Sequence, residues 1–575
     1  MIKEKIVRIF ITSLILTGIS LLSACTPVDA VPPSQSQSSS ATQSQPLTPA
    51  APAEHRIGVR VVDGVGEFYD RQTGEKFIPR GNNYISLDPM TKKGDGQVIT
   101  FSMFNPGFYD HEAVRQALQQ MHSTGYNVVR TFVESEGTSG LGGENGLNPA
   151  FMDNLADFLV LAKQNQIYAV LTKQWLPITP RYANIIATQC CDTFGFANAI
   201  HLAPAGVEAH RLFFQDLIKA LLERNAPLEA IFSYNISNEF YFDADQPPLS
   251  WTSGKVSLAN GREYDMAVPE DREAMLDDAL LVMIADVRKA VRELDPTALV
   301  SIGFFAPQEP NPHRIGDMRL SRTRAAIWES DADYIDLHAY PGGDLTLAQH
   351  LENYGLDDMQ AKPILMGEFG AFKSLFMSTE VAAQSLVDWQ VESCKYGIDG
   401  WLLWTWDDTT VGEIIPATAD NGIISTILSP AKRPDPCAYG AGFVRNLSLG
   451  ASVQVSNSLP QEAPQYAIDG LGLTQWGAGV DAPQWIEIDL GKPAKISEIR
   501  LMVAQFPEGE TTHIIRVMGI DGIMVEMARF NQFTRSEEWL SFKPAEPLDD
   551  IQIIRVETTR SPSWVAWKEI QILGE

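Results

Sequence analysis

Two glutamates of this chain follow or end apolar, strand-like segments. Glu239 ends the segment 234–239, which reads YNISNE, and Glu368 lies within the segment 366–370, which reads MGEFG. Two carboxyl groups that face each other across a cleft can share the cleavage of an acetal bond, because one attacks as a nucleophile while the other serves first as acid and then as base. This chemistry needs carboxyl groups about 5–5.5 Å apart. The elements that carry the two glutamates must therefore bring them together.

Eight β-branched and aromatic runs alternate with amphipathic helical patterns between residues 55 and 440. The predicted strands span residues 78–84, 127–133, 167–173, 231–238, 298–304, 334–340, 363–369 and 401–406. The predicted helices span residues 110–123, with Asp110 as N-cap, and 151–164, 208–224, 271–293 and 379–394. Eight strands separated by helices favour a (β/α)8 barrel, in which functional residues lie where the strands end.

The alternative to a barrel is an open, doubly wound sheet. A glycine-rich phosphate-binding turn would be expected after its first strand, and the sequence has none there. In the barrel, Glu239 follows the fourth strand and Glu368 ends the seventh, so both lie at one rim. A single glutamate after a strand is usually a solvated or ion-paired residue. Two of them on these strands, with polar residues at other strand ends, favour a catalytic cleft.

Region 55–440 resembles the clan A glycoside hydrolases, and most closely family 5 with its cellulases and mannanases. The pair Asn238-Glu239 matches the acid/base motif of that family, and the segment 367–370, GEFG, matches its nucleophile motif. The resemblance also covers Arg130, the segment DLHAY with His338 and Tyr340, Trp404 in WLLWTW, and RGNNY at 80–84. Many family cellulases have a histidine near the end of the third strand, whereas residues 171–175 here read LTKQW. This departure brings the chain nearer to the mannanase-like branches.

The resemblance and elementary electrostatics imply a role for each of these residues. Glu368 is the expected nucleophile, kept ionised by Arg130 and by a hydrogen bond from Tyr340. Glu239 is the expected acid/base, which keeps its proton because the negative Glu368 lies nearby. Further residues are expected to contact sugar: Asn238 at the 2-hydroxyl, His338 in the same subsite, Trp404 and Trp406 as a stacking floor, and Trp175 and Tyr84 as subsite walls. Barrel packing is the alternative for the tryptophans. No catalytic metal or organic cofactor is expected, and Asp407 and Asp408 are interpreted as structural.

Residues 441–575 change to short alternating strands without helical patterns, which favours an all-β sandwich. The phrases AIDG, TQW and QWIEIDLG, in that order, resemble the discoidin or coagulation factor 5/8 type C domain, a jelly roll that includes the family 32 carbohydrate-binding modules. The resemblance implies glycan binding and a structural calcium ion held by Asp469, Thr474 and Glu569. Trp564 is expected at the rim or in the core, and Phe506 and Arg535 on loops.

The amino-terminal residues predict export. A basic start precedes an apolar run at 9–22, and the tetrapeptide 22–25, LSAC, resembles the bacterial lipobox, which implies that Cys25 is lipidated and becomes the mature amino terminus, with residues 1–25 as the lipoprotein signal segment. The resemblance implies a lipoprotein anchored at the cell surface or the outer membrane, and Thr26 rather than aspartate favours, by resemblance, the outer membrane in a host that has one. Residues 26–54 are mostly Ser, Gln, Pro, Ala and Thr, which predicts a flexible tether.

Charge and cysteine content limit the partners and the covalent links. The 575 residues carry a formal charge of −28, which argues against nucleic acid as a partner. Four cysteines remain beside Cys25, and four allow three pairings. Cys190 and Cys191 are adjacent, so a bond between them is expected to strain the backbone, and at least one disulfide to a distant partner is expected. No CxxC motif or nearby histidine pair suggests a metal site at these cysteines.

The sequence therefore predicts a surface-anchored, monomeric, retaining β-glycosidase that acts on a β-linked mannan or glucan. One alternative is a glycan-binding lipoprotein with an inactive barrel, which the intact glutamate pair disfavours. The other is an exo-acting glycosidase or transglycosylase, which the sequence leaves open.

Overall fold

The barrel is built from eight parallel strands. They are β1 (Arg80–Asn83), β2 (Val128–Glu134), β3 (Tyr168–Lys173), β4 (Ile231–Asn235), β5 (Leu299–Ser301), β6 (Ile335–His338), β7 (Ile364–Gly370) and β8 (Ile398–Trp404). Their order in the sheet is β5-β4-β3-β2-β1-β8-β7-β6. The Asp333 N–H donates to the Val300 carbonyl at 2.8 Å, so the two ends of this series are adjacent. The barrel prediction is confirmed, and the open doubly wound sheet is excluded.

The computed structural model describes residues 54–85, 103–134, 140–304, 319–343, 345–356, 361–407, 414–439 and 443–575, and the backbone alone at 91–92 and 98–99. These residues belong to one compact unit, 53–575. The predicted signal segment, Cys25, the tether up to residue 53, and Asp408 lie outside the described residues. Within the described part of the chain, no helix combines the length and apolar character needed to cross a membrane.

Helices follow the strands around the barrel. They are α1 (His111–Ser123), α2 (Pro149–Gln164), α3 (Pro204–Glu223), α4 (Pro269–Leu294), α5 (Thr323–Trp328), α6 (Leu347–Tyr354), α7 (Thr379–Ser393) and α8 (Ala419–Ile427). Asp110 caps α1 as predicted, because its carboxylate accepts from the N–H groups of Glu112 and Ala113 at 3.0 Å. Such a cap stabilises a helix by about 1 kcal/mol. Two further helices, Pro180–Ala187 and Phe196–His201, lie in the long segment between β3 and α3.

An amino-terminal hairpin closes the end of the barrel opposite the carboxyl ends of the strands. Its strands, Ile57–Val62 and Val65–Asp70, pair antiparallel. Phe68 is fully buried and packs against the rings of Phe232 and Tyr334, with centroids 5.3 and 5.4 Å away. Burial of one such side chain contributes about 2–3 kcal/mol. Because the hairpin covers this end, the described barrel opens only at the carboxyl ends of its strands.

Two disulfides link the four cysteines that the structure describes. Cys394, at the end of α7, is bonded to Cys437, with Cα atoms 5.8 Å apart, which confirms the expected link to a distant partner. Cys190 and Cys191 are bonded to each other across a cis peptide bond. The sequence left the partner of each cysteine open, and the structure pairs these two neighbours, whose Cα atoms lie 3.1 Å apart.

The carboxyl-terminal region is antiparallel, as predicted for a sandwich. Its longest strand, β9 (Gln484–Val503), bends where its register shifts between Asp489 and Ala494. The first part of β9 pairs with β10 (Leu548–Arg560), and the second part pairs with β11 (Ala566–Gly574), so one strand contributes to both layers. The strands Gly509–Gly519 and Met524–Thr534 extend the sheet beyond β10. Trp476 and Trp567 are fully buried between the layers.

Candidate active site

Glu368 occupies the centre of the barrel mouth. Its side chain is 3% exposed, near the end of β7. Arg130 on β2 donates from Nη1 to Oε1 at 2.6 Å, and the Tyr340 hydroxyl donates to Oε2 at 2.7 Å. A carboxylate that receives a charged donor on one oxygen and a hydroxyl on the other is held in one orientation. The two partners predicted for Glu368 are therefore the partners that it has.

Arg130 is fully buried, and its guanidinium connects four strand ends. Nη1 also donates to the Asn83 side-chain oxygen at 2.9 Å, and Nη2 donates to the Asn238 side-chain oxygen at 2.6 Å. Burial acts to lower the pKa of Arg130, but the negative charges of Glu368 and Asp336 outweigh it, so that pKa is raised. Arg130 thus remains a permanent cation in the barrel centre.

Glu239 lies across the cleft from Glu368, and its side chain is 32% exposed. His338 Nδ1 lies 3.2 Å from its Oε1. The Gln174 side chain clamps the Glu239 backbone, because its Oε1 accepts from the Glu239 N–H at 3.0 Å and its Nε2 donates to the Glu239 carbonyl at 3.2 Å. One oxygen of Glu239 and one of Glu368 lie within 4.8 Å of each other. The fold therefore brings together the two carboxylates that the sequence singled out.

His338 lies between the two glutamates. Its Nδ1 is 3.5 Å from Glu368 Oε2, in addition to its contact with Glu239. Burial acts to lower the pKa of His338, but the charge of Glu368 and the hydrogen bond to Glu239 outweigh burial and raise it. For Glu368, burial raises the pKa above its ordinary value, while the charges of His338 and Arg130 and the Tyr340 hydroxyl act in the opposite direction.

Asp336 is a site residue that the motifs did not single out. It is 2% exposed on β6, and its Oδ1 lies 3.7 Å from His338 Nε2. The Asn235 side-chain amide donates to its Oδ2. A Cβ atom at Gly367 would fall 2.0 Å from Asp336 Oδ1, so the glycine of GEFG leaves room for this carboxylate. Period-two alternation along β6 was the available signal, because it directs Asp336 to the same side as His338.

One potential ligand atom from each of Glu239, His338 and Glu368 lies within 4.8 Å of the other two, a spacing that could also hold a metal ion. Both oxygens of Glu368 already accept hydrogen bonds, one of them from a guanidinium. A metal ion would have to displace Arg130 or Tyr340 from that carboxylate. The arrangement therefore fits acid–base and nucleophilic chemistry better than it fits a metal centre.

The four predicted aromatic contacts divide into two groups. Trp404 is half-buried at the end of β8, edge-on to Phe132 at 5.9 Å, and Trp175 is half-buried beside Tyr241 and His201. Both keep exposed surface near the strand ends, and their contact with sugar stays a prediction. Tyr84 and Trp406, only 1% and 2% exposed, are packed in the apolar core. Their burial does not support the expected roles of Tyr84 as a subsite wall and Trp406 as a stacking floor. Trp406 does not share the face of Trp404, because β8 ends at Trp404 and its alternation does not continue to Trp406.

A second acidic cluster lies in the carboxyl-terminal region. Asp469 accepts from the Thr474 hydroxyl at 2.9 Å, and Glu569 Oε2 accepts from the Gly470 N–H at 3.2 Å. Glu569 is fully buried, and among the described residues its Oε1 has no hydrogen-bond partner. Burial raises the pKa of Glu569 well above its ordinary value, and the charge of Asp469 adds to the shift. A buried carboxylate oxygen of this kind fits the oxygen-ligand preference of a calcium ion.

The family described as Cellulase (glycosyl hydrolase family 5) matches residues 90–410, which is more than half of the chain. No curated protein matches the chain. One similar solved structure is the exo-beta-1,4-mannosidase of Opitutaceae bacterium strain TAV5, at 18% identity and a TM-score of 0.40, covering 63% of this chain and 56% of that one.

Two similar structures match the carboxyl-terminal region in size. The family 32 module of C. perfringens NanJ in complex with galactose has 18% identity and a TM-score of 0.20, covering 21% of this chain and 93% of that one. A CBM32 module of Clostridium perfringens in complex with GlcNAc-alpha-1,4-galactose has 15% identity and a TM-score of 0.21, covering 24% of this chain and 99% of that one.

Replacement of Asp336 by Asn is expected to lower the pKa of His338. The Asp336 charge is one of the causes that raise this pKa, and Asn removes the charge while keeping the shape. A raised histidine pKa stabilises the folded state below the unfolded value of about 6.5, and this contribution is lost as pH rises through the folded value. In D336N the folded-state pKa is lower, so the contribution should be smaller and its loss should be complete at lower pH. NMR titration of the His338 ring measures the shift directly.

Asp333→Asn is the matched control for D336N. Asp333 is also a buried acid, just before β6, but it pairs with Arg288 and Arg292 at 2.9 Å. The Asp333→Asn substitution should reduce the stability of the fold and leave the titration of His338 unchanged. An unaltered or raised pKa of His338 in D336N would contradict the role assigned to Asp336.

Proposed function

The chain belongs to the cellulase family of glycosyl hydrolases, family 5, and is a glycoside hydrolase; on that premise we propose that it cleaves a β-linked mannan- or glucan-type polysaccharide or oligosaccharide with retention of configuration. The observation that carries the proposal is the carboxylate pair, with one oxygen of Glu239 and one of Glu368 within 4.8 Å. Retaining enzymes place their carboxyls about 5–5.5 Å apart, whereas inverting enzymes need about 6.5–9.5 Å to admit a water molecule.

In the first step, Glu368 attacks the anomeric carbon and Glu239 gives its proton to the departing glycosidic oxygen. The bond from the anomeric carbon to the leaving oxygen breaks as the bond to the Glu368 oxygen forms, which leaves a glycosyl ester on Glu368 and an ionised Glu239. Glu368 suits the nucleophile role because Arg130 and Tyr340 hold its carboxylate in place. Glu239 suits the acid role because it is the more exposed carboxyl and borders the cleft.

In the second step, Glu239 takes a proton from a water molecule whose oxygen attacks the same anomeric carbon. The ester bond breaks, Glu368 leaves as a carboxylate, and Glu239 regains the proton that it lost. The charges around the site favour this cycle. Arg130 is cationic and the pKa of His338 is raised, so positive charge beside Glu368 favours the carboxylate that the second step releases.

Asn238 and Trp404 are the proposed contacts to the sugar at the cleavage point. The Asn238 side-chain oxygen faces Arg130, which turns its amide nitrogen away from the guanidinium and leaves it as a donor for the 2-hydroxyl. A hydrogen bond to that hydroxyl strengthens as the transition state forms. Trp404 offers an aromatic surface at the end of β8 on which a pyranose ring can stack.

The two glutamates are expected to respond differently to the leaving group. Glu239→Ala should lower kcat/KM on a sugar leaving group by about 10²–10⁴-fold, because that oxygen departs poorly without a proton. Dinitrophenolate needs no proton to depart, so kcat/KM of Glu239→Ala on a dinitrophenyl β-glycoside should fall far less. Glu368→Gln should lower both reactions by at least about 10³-fold, because neither can form the ester.

Steady-state kinetics with the two substrates decides between these outcomes. Glu229→Gln is a suitable control, since that glutamate pairs with Lys163 on the outer surface of the barrel. Near-wild-type turnover in Glu368→Gln, or equal losses on both substrates in Glu239→Ala, would overturn the assigned roles.

We also propose that the carboxyl-terminal region is a glycan-binding module with a structural calcium ion. Asp469, Thr474 and Glu569 would contribute ligands, and the ion would offset the negative charges of the buried Glu569 and the half-buried Asp469. The calcium ion would stabilise the fold and take no part in catalysis, since the cluster lies in the carboxyl-terminal module and the two glutamates lie in the barrel. Sequence resemblance supports the glycan-binding part of this proposal, and the buried Glu569 oxygen supports the calcium part.

Chelation is expected to destabilise the carboxyl-terminal module. Calcium added after EDTA treatment should raise its unfolding temperature, because an ion that binds only the folded state stabilises it by mass action. Calorimetry of the full chain measures this shift, and Glu569→Gln should abolish it. Glu487→Gln, at a residue of β9 that pairs with Arg555 of β10, should retain this shift. An unfolding temperature that is unaffected by calcium in the wild type would refute the site.

Export and anchoring through Cys25 are likewise a proposal drawn from the amino-terminal sequence. We also propose that the protein acts as a monomer at the cell surface. Incorporation of radiolabelled palmitate into the wild type but not into a Cys25→Ser variant would support the anchor, and equal labelling would refute it.

A further inference from the structure

The carboxyl-terminal module contacts the barrel at the turn that follows β7. The Gly472 N–H donates to the Leu375 carbonyl at 3.4 Å, and Leu471 forms an antiparallel bridge with Phe376. A Cβ atom at Gly470 would lie only 3.5 Å from Val381 on α7. The module therefore pairs its backbone with the turn that follows the strand carrying Glu368.

This turn is connected to the nucleophile through Phe372. The N–H groups of Leu375 and Phe376 donate to the Phe372 carbonyl at 2.9 and 3.3 Å, which closes the turn. The Phe372 ring lies 5.3 Å from the ring of Tyr340. Tyr340 in turn donates to Glu368 Oε2 at 2.7 Å. Movement of the turn would thus shift the side chain that packs against Tyr340.

Phe376 makes a second connection to the same tyrosine. Its side chain is 6% exposed, and a Cβ atom at Gly342 would approach its ring to 2.7 Å. Gly342 has a φ of +86° and lies two residues after Tyr340. The ring therefore rests on the turn that leads away from Tyr340, in a space that a side chain at position 342 would fill.

We infer that the carboxyl-terminal module is a fixed part of the catalytic scaffold, in which Gly472 and Phe376 act as positioning residues that hold Tyr340 against Glu368. The inference rests on the proposed role of Glu368 as nucleophile. A module that only carried the enzyme to its substrate would need no backbone pairing with a catalytic turn. Here the paired residue Phe376 is hydrogen-bonded to Phe372, whose ring packs against Tyr340, the donor to Glu368.

Hydrogen–deuterium exchange of the full chain tests the docking without substrate. Gly472→Pro removes the N–H donated to Leu375, whereas Gly472→Ala keeps it and places a Cβ 3.4 Å from Met377, an ordinary contact. Gly472→Pro should speed exchange of amides in residues 371–378 by about tenfold or more, since a pairing contact that protects them is lost. Gly472→Ala should match the wild type. Equal exchange in all three proteins would overturn the inference.

The pH dependence of kcat/KM on an aryl β-glycoside tests the link to the nucleophile. The titratable and charged groups facing Glu368 are Arg130, His338, Tyr340 and Glu239. The Tyr340 hydrogen bond lowers the pKa of Glu368, so its loosening in Gly472→Pro and in Phe376→Ala should move the acidic limb of the profile to higher pH. Phe376→Leu should restore much of the wild-type profile. Phe506→Ala, at a ring that is 89% exposed, should leave the profile unchanged.

The outcomes separate this inference from the proposed function. An acidic limb that stays in place in Gly472→Pro and Phe376→Ala, with an active wild type, would overturn the link. A wild type without turnover would count against the proposed function, and the exchange comparison would still decide the docking. Reduced thermal stability alone, with an unchanged profile, would mean that the contact is only packing and would also overturn the inference.

Discussion

The buried ion pair between Arg130 and Glu368 is the interaction on which the site depends. Both side chains are almost completely removed from solvent, and taking two charges out of water costs more than their attraction returns unless further hydrogen bonds satisfy them. The barrel supplies these bonds from β1, β6 and the end of β4, through Asn83, Tyr340 and Asn238. Removal of Arg130 would take away the only partner that contacts Glu368 Oε1 among those described, and would leave the buried carboxylate with His338 and the Tyr340 hydroxyl alone.

The same constraint explains why the site needs a closed barrel. Asn83 fixes Arg130 and also donates to the Gly367 carbonyl at 2.9 Å, so β1, β2 and β7 are connected beneath the cleft. Gly367 has no side chain because Asp336 lies in the space a Cβ would take, and Asp336 in turn faces His338. Each charged group is thus placed by a residue on a different strand. The hairpin at the other end of the barrel keeps the described cleft open at one end only.

Sequence reasoning found the residues whose types carry chemistry at strand ends. Glu239 and Glu368 were recognisable because they lie at predicted strand ends, and Arg130 and Tyr340 were recognisable through the resemblance of their motifs to family 5. Asp336 and Gln174 were missed because their roles exist only across strands: Gln174 acts on the backbone of Glu239, sixty-five residues away in the chain. Trp406 was misplaced because alternation was extended beyond the end of β8, and the Cys190–Cys191 bond was left open because a bond between adjacent cysteines was expected to strain the backbone.

The central claim is that Glu368 forms a covalent bond to the sugar, and mass spectrometry tests it directly. Dinitrophenyl 2-deoxy-2-fluoro-β-glycosides of mannose and glucose should form the intermediate and hydrolyse it slowly, because fluorine replaces the 2-hydroxyl that stabilises the transition state. After proteolysis, the peptide that contains Glu368 should carry the mass of one fluoroglycosyl unit. A label on another residue, or release of dinitrophenolate without any labelled peptide, would contradict the account.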